Sequence, residues 1–223
     1  MRYRFIVFDF DGTLADTSVG INNAFDAAAR RMGLPVLPSE RREGLIGPPI
    51  KESFARLYGL GEDAAREGAE LFREEYAQPE RLAETVLYPG TSDMLDKLVS
   101  NGVNLAIATN KRTDCTKDIL RMFGLDELFS AVCGSEPGTF ESKPQIVARC
   151  LQQIGAELST TLLVGDTETD CNAAMANSID FLAVGYGFGY QKYEMPSYSV
   201  GLANCSGELL ERIERINRCA ICE

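Results

Sequence analysis

Histidine is missing from all 223 residues. Ser-His-Asp and Cys-His nucleophilic sites, HExxH metal centres and imidazole general bases are excluded with it. Cations are scarce as well: 22 lysines and arginines stand against 33 acidic residues, a net charge of -11. That balance argues against a nucleic-acid surface or an anchor on an anionic membrane, and an acidic protein handling an anionic ligand needs local cations or a metal. No apolar run approaches membrane-spanning length, and Met1 leads straight into a strand without a signal-peptide pattern, so the expected compartment is the cytosol (cytoplasmic). Seven cysteines are scattered singly except for Cys219 and Cys222. That CxxC has no second CxxC and no histidine to complete a zinc site, so free thiols in a reducing compartment are expected, with a redox pair as the alternative. No repeat, low-complexity segment or GxGxxG pattern occurs; the GYGFG of residues 185–189 reads as a loop at a strand end.

A hydrophobic content of 45% supports a real core, in one domain of ordinary size or one domain with a smaller insertion. The chain is organised around residues 4–17, RFIVFDFDGTLADT. Phe5, Ile6, Val7 and Phe8 are β-formers without polar alternation, the pattern of a parallel strand covered on both faces. Asp9 and Asp11 follow at its carboxyl end, where open α/β sheets bind ligands, and on an extended chain they share one face. Gly12 allows a tight turn and Thr13 offers a hydroxyl and an N–H. Two acids on one face repel; a divalent cation would resolve that, and a solvated loop of two acids is the open alternative.

Downstream of this stretch, Ile21, Ala24, Phe25, Ala28, Ala29 and Met32 recur at helical spacing between a cap at Thr17 or Ser18 and a stop at Gly33. A short segment at residues 38–42 and the prolines at 48 and 49 lead into a second helix with Ile50, Phe54, Leu57 and Tyr58. A third carries Ala65, Ala69, Phe72 and Tyr76. No strand is expected here, so the region reads as a small helical module. From Tyr88 a βα alternation takes over: a helix capped by Thr91, the strand NLAIATN, a helix over 113–123, the strand AVCG, a helix opening at Lys143 or Pro144, the strand TTLLVG, a helix through Ala174 and Met175, the strand FLAVGYG and a last helix capped by Ser206. Such alternation implies parallel pairing with right-handed crossovers. The expected fold is α/β: a Rossmann-like parallel-sheet core made of residues 1–14 and 85–223, interrupted by an all-helical cap of residues 15–84.

Further polar signals sit at strand ends. Thr109, Asn110 and Lys111 follow LAIA at an expected strand-to-helix turn, where a hydroxyl and free N–H groups could bind phosphate oxygens or Thr-Asn simply cap the helix. Lys143 opens a helix, against the dipole, as a recruited cation or a solvated side chain. Asp166 lies just past a strand with Asp170 four residues on, a second acid pair whose oxygen ligands suit magnesium.

DFDGTLADTSVGI resembles the DxDGT nucleophile motif of the haloacid dehalogenase (HAD) superfamily of phosphohydrolases. Thr109, Lys143 and the GDTETD of residues 165–170 resemble the rest of that superfamily's ordered set, a Thr or Ser after a strand, a Lys at a helix start and GDxxxD. GPPIKESF, ESKPQIV and YGFG are similar to the phosphoglycolate phosphatase and 5′-nucleotidase branch. The loop CGSEPGTFESK and the tail after Gly189 depart from it, which bears on the substrate more than on the chemistry. The resemblance implies a phosphatase in which Asp9 attacks phosphorus and becomes an aspartyl-phosphate, while Asp11 serves as acid and then base. Mg2+ would be held by Asp9, the backbone carbonyl of Asp11 and Asp166, with Asp170 supporting, and the phosphoryl oxygens by Thr109, the Asn110 N–H and Lys143. The implied partner is a small phosphorylated metabolite: phosphoglycolate-like, a nucleotide or a sugar phosphate. Specificity is expected in the cap at Gly47, Pro48, Pro49, Ile50 and Lys51; alternatively the prolines only start a helix and Lys51 is solvated, which would turn attention to Arg41, Arg42 and Arg112. Three rivals stand beside this. A haloacid dehalogenase would need neither Asp11 nor a metal, a sugar phosphomutase would use the same residues, and an idle binding protein should have lost a nucleophile or ligand. The sequence specifies no oligomeric state.

Overall fold

Four consecutive β-formers with no polar face have to be covered on both sides, and they are: Ile6, Val7 and Phe8 are fully buried at the centre of a parallel sheet. The computed structural model describes residues 1–42, 44–139, 141–190 and 195–219. Cys222 and the side chain of Cys219 lie outside the described residues. In chain order the elements are β1 (Phe5–Phe8), β2 (Ala15–Asp16), α1 (Ser18–Arg31), α2 (Ile50–Tyr58), α3 (Glu62–Tyr76), α4 (Pro79–Leu82), β3 (Val86–Leu87), α5 (Thr91–Ser100), β4 (Asn104–Arg112), α6 (Thr113–Phe123), β5 (Phe129–Ser135), α7 (Lys143–Gln153), β6 (Thr161–Gly165), α8 (Glu168–Ala176), β7 (Asp180–Val184), β8 (Ser199–Ala203) and α9 (Ser206–Cys219).

Six strands form the main sheet in the order β5-β4-β1-β6-β7-β8, and β2 pairs with β3 in a separate two-stranded sheet. All pairings in the main sheet are parallel. β1 is therefore flanked by β4 and β6, with Phe8 level with Ile107 on one side and Val164 on the other. The strand order reverses at this position, and the crevice beyond the carboxyl ends of β1, β4 and β6 is where an open α/β sheet accepts a ligand. On one face Val7, Ala106, Leu163 and Ala183 pack with Ile146, Val147 and Cys150 of α7 and Ala173 and Ala174 of α8. Each large aliphatic side chain so buried contributes roughly 1.5–3 kcal/mol of apolar transfer energy.

The chain divides into two compact units, Met1–Asp16 with Leu87–Glu223, and Thr17–Val86. The breaks fall after Asp16 and Val86, each two residues beyond the expected positions after 14 and 84. The second unit is α1 to α4, and its interior is an aromatic cluster of Phe25, Phe54 and Tyr58, with Phe25 and Phe54 ring centroids 4.4 Å apart. Gly68 on α3 lies against the Phe54 ring so closely that a Cβ there would overlap it.

Three local expectations need correction. Thr91 is the first residue of α5 and not its cap; Gly90, at φ +80°, occupies the cap position, while the Thr91 hydroxyl reaches the Leu14 carbonyl at 3.3 Å. β4 does not stop at Asn110 but runs to Arg112, with a shift in its pairing to β5 after Ala108. β8, whose Ser199 and Val200 are partly exposed, closes one edge of the sheet in a tail that gave no clear strand signal.

Candidate active site

β1 ends at Phe8, and the next residue, Asp9, is nine-tenths buried with its N–H donating to the Val164 carbonyl of β6 at 2.9 Å. β6 ends at Gly165, which places Asp166 beside it, fully buried. Asp170 is also fully buried, one turn into α8. Oxygens of Asp9, Asp166 and Asp170 all lie within 4.8 Å of one another. At an effective dielectric of about 20, two unit charges at that separation repel by about 3 kcal/mol, so three bare carboxylates cannot share this space without a counter-charge.

Lys143 supplies part of it. Its ammonium lies 2.6 Å from Asp9 Oδ1 and 2.7 Å from Asp170 Oδ1, and it is itself almost fully buried. Burial alone would lower the lysine's pKa, but Asp170 and Asp9 together outweigh it and the ammonium stays charged. Lys143 is held at the start of α7 by a capping box in which Ser142 and Gln145 satisfy each other's backbone N–H groups. The same device holds Asp170: its Oδ2 accepts from the Thr167 hydroxyl at 2.6 Å and the Thr167 N–H at 3.1 Å, leaving Oδ1 for Lys143.

Asp166 is clamped by backbone. Its Oδ2 accepts the N–H groups of Phe188 at 2.7 Å and Gly189 at 3.3 Å, and its Oδ1 the Thr13 hydroxyl at 3.4 Å. The loop after β7 thus belongs to the site, although its glycines carried no such message beyond marking a strand end. A Cβ on Gly187 or on Gly12, which sits at φ +82°, would overlap Asp166 Oδ2; only glycine lets the chain close around this carboxylate.

Electrostatics show the site's unmet need. Burial pushes Asp9 up to about 7, with Lys143 opposing and Asp170 and Asp11 adding to the shift. Burial, then Asp170 and Asp9, raise Asp166 well above the ordinary carboxylate range. Such shifts mark a carboxylate cluster that would ionise with a cation among its oxygens, and the clustered hard-oxygen donors in a glycine-walled cradle suit a divalent ion such as Mg2+. The structure therefore fits a metal here.

Asp11 is not part of the carboxylate cluster. Its Oδ1 pairs with Lys111 Nζ at 3.0 Å. Thr109 is buried and its hydroxyl accepts the Lys111 N–H at 3.2 Å, so Thr109, Asn110 and Lys111 lie on the extended end of β4 and not in a turn at a helix start. The core thus gathers Asp9, Asp170 and Lys143 in direct contact with Asp166 beside them, and Asp11, Thr109 and Asn110 at the ends of β1 and β4. Lys111 is visible in the sequence as the third residue of the run Thr109, Asn110, Lys111, but nothing there gives its ammonium a role; the structure pairs it with Asp11. Gly47, Pro48 and Lys51 lie in the helical unit, Gly47 at φ +107° and Lys51 in the first turn of α2 paired with Glu62 at 2.8 Å on the surface. Arg42 is engaged with Asp26 and the Leu37 carbonyl, Arg112 with Asp114, and Arg41 ends a short 3-10 turn.

A profile of the haloacid dehalogenase-like hydrolases matches residues 6–184. The chain belongs to that family. This haloacid dehalogenase-like hydrolase is 35% identical over 190 residues to a 5′-nucleotidase of Pseudomonas aeruginosa, covering 85% of this chain and 86% of that one. It is 30% identical over 218 residues to a phosphoglycolate phosphatase of Vibrio parahaemolyticus, covering 93% and 95%. Among solved structures, a predicted phosphatase from Clostridium acetobutylicum superposes with a TM-score of 0.89 at 27% identity, covering 96% of this chain and 100% of that one. Protein tyrosine kinase A of Mycobacterium tuberculosis superposes with a TM-score of 0.80 at 31% identity, covering 95% and 98%. The hydrolase is an enzyme of the family's phosphatase group. No helix among the described residues is long and apolar enough to cross a membrane.

Proposed function

We propose that the protein hydrolyses a small phosphate monoester through an aspartyl-phosphate on Asp9, with Mg2+ as its cofactor. The observation that carries the reading is the buried contact of Asp9, Lys143 and Asp170 beside Asp166, at the carboxyl ends of β1 and β6. Asp9, Asp166 and Asp170, with the backbone carbonyl of Asp11, would hold the metal, which when bound neutralises the carboxylates and screens an incoming phosphate from them. A carboxylate oxygen of Asp9 attacks phosphorus, the phosphorus–ester oxygen bond breaks, and Asp11 gives its proton to the departing alcohol. Asp11 then takes a proton from water, the water oxygen attacks phosphorus, and the Asp9–phosphorus bond breaks to free phosphate. Lys143, the Thr109 hydroxyl and the Asn110 N–H are assigned to the phosphoryl oxygens, where charge must be met in the transition state.

The relatives' names favour phosphoglycolate-like and nucleoside monophosphate substrates, with sugar phosphates as the third class. A screen of phosphorylated metabolites for phosphate release with Mg2+ is the test: one strongly preferred ester supports the reading, and no release from any would remove it. The likeness to a protein tyrosine kinase favours a second reading in which a hydroxyl other than water accepts the phosphoryl group, as in a phosphomutase that would use the same residues. Product identity separates the two. Stoichiometric inorganic phosphate supports hydrolysis, and a new phosphate ester with little phosphate supports transfer.

A further inference from the structure

We infer that Lys111 is a positioning residue for Asp11, resting on the reading of Asp11 as acid and base above. Two lysines of the core site take up three of its four carboxylates: Lys143 holds Asp9 and Asp170, and Lys111 lies 3.0 Å from Asp11 Oδ1. Lysine side chains rarely go out of water unless paired, and the Lys111 side chain keeps only 5% of its surface exposed. Burial of that ammonium is costly, so a fold that retains it does so for its partner. Asp11 stands outside the cluster of Asp9, Asp166 and Asp170, its side chain is 17% exposed, and it lies past the end of β1 in a turn through Gly12 closed by a bridge to Ala15, so the ion pair with Lys111 restrains the side chain of a backbone already fixed there.

The backbone of Lys111 is fixed from two sides, which makes it a fit anchor. Its N–H donates to the buried Thr109 hydroxyl, and its carbonyl packs on Gly134 of β5, where a Cβ would overlap it. Gly134 is itself tied down: its N–H donates to the Thr113 hydroxyl at 2.9 Å and its carbonyl accepts Arg149 at 2.7 Å. The extra length of β4 past Ala108 thus carries the lysine from the sheet to the side of Asp11. An acid that must reach a departing oxygen gains from being held in one orientation, and a displacement of about 1 Å can cost about 10²-fold in rate.

The test compares Lys111→Ala, Lys111→Met, Lys111→Arg, Asp11→Asn and the double variant Asp11→Asn/Lys111→Ala, with Mg2+ present, on an alkyl phosphate and on 4-nitrophenyl phosphate. Lys111→Ala and Lys111→Met should lower kcat on the alkyl ester by roughly 10–10²-fold with little change in KM, and lower it much less on the aryl ester, whose leaving group needs no proton. Lys111→Arg should restore most of the rate. The double variant should be no slower than Asp11→Asn alone. Multiplying losses in the double variant, or a Lys111 effect confined to KM, would overturn the inference and make Lys111 a ligand of the substrate. If Lys111→Ala does not fold, the same comparison runs on Lys111→Met and Lys111→Arg, and a rate in folded Lys111→Met equal to the unsubstituted enzyme also overturns it. Unchanged turnover by Asp11→Asn is a different result: it removes the role of Asp11 itself.

Discussion

Asp9 lies 2.6 Å from an ammonium and is still pushed up to about 7, because burial outweighs the attraction of Lys143. An unfolded aspartate has an ordinary value of 3.8. Between those values the folded chain holds a proton that the unfolded chain has lost, so without metal this group's contribution to stability is full below about 4 and is lost as pH rises through about 7, a few kcal/mol in scale. Asp166 is shifted in the same direction and adds to the slope. Thermal unfolding in a chelator should therefore give a lower Tm at pH 8 than at pH 5, and Mg2+ should raise Tm much more at pH 8. Equal effects of Mg2+ at both values would mean that these carboxylates do not take up the ion. Asp9→Asn keeps the volume and removes both the proposed nucleophile and its charge. Phosphate release should fall by more than about 10⁴-fold while the far-UV spectrum is unchanged; turnover close to the original would assign the nucleophile elsewhere.

Elements, more than single residues, decide which parts of this site the sequence revealed. Asp9, Lys143 and Asp166 were legible because each sits at a strand end or helix start, where an apolar run breaks into a polar residue. The loop of residues 185–189 was legible as a loop and mute as a ligand clamp, because it works through the N–H groups of Phe188 and Gly189, which every residue but proline carries. The carboxyl end of β4 was misjudged for a related reason: Thr109 and Asn110 look like a turn, yet they lie within a strand that runs on to Arg112, between its Ala108 and Arg112 pairings to β5. Gly187→Ala tests the clamp at this scale. The added methyl must push the loop off Asp166, so we expect a rise of about tenfold or more in the Mg2+ concentration for half-maximal activity, a loss comparable with removing a metal ligand's supporting contacts. A Mg2+ requirement that does not move would show the clamp to be dispensable.

At the level of the whole molecule, the α/β core and the helical unit were both readable from the switch in hydrophobic period at Tyr88, since a strand followed by three helices and no second strand cannot build a sheet by itself. What periodicity could not supply was the role of the helical unit's loop. We propose that Gly47, Pro48 and Lys51 select the substrate's leaving group. Lys51 pairs with Glu62 on the surface, a contact that contributes little, so the lysine can be exchanged without harm to the fold. Lys51→Ala should lower kcat/KM for the preferred anionic metabolite by about fivefold, the scale of one surface charge contact of roughly 1 kcal/mol, and leave 4-nitrophenyl phosphate within about twofold. An equal change on both would remove this loop from substrate selection.

The place of β1 in the middle of the sheet also sets the order of events during synthesis. Phe5 precedes both of its sheet neighbours by long stretches of chain, Asn104 on one side and Thr161 on the other. Pairings so distant in sequence form slowly, whereas Thr17–Val86 can gather its helices as it leaves the ribosome. A nascent chain stopped short of β6 lacks Asp166 and Asp170 and has nothing to lay along the open edge of β1. Asp9, although it precedes the other residues of the site in the chain, is thus among the last to gain its neighbours, and a chain that lacks β6 and α8 cannot assemble the contact of Asp9, Lys143 and Asp170.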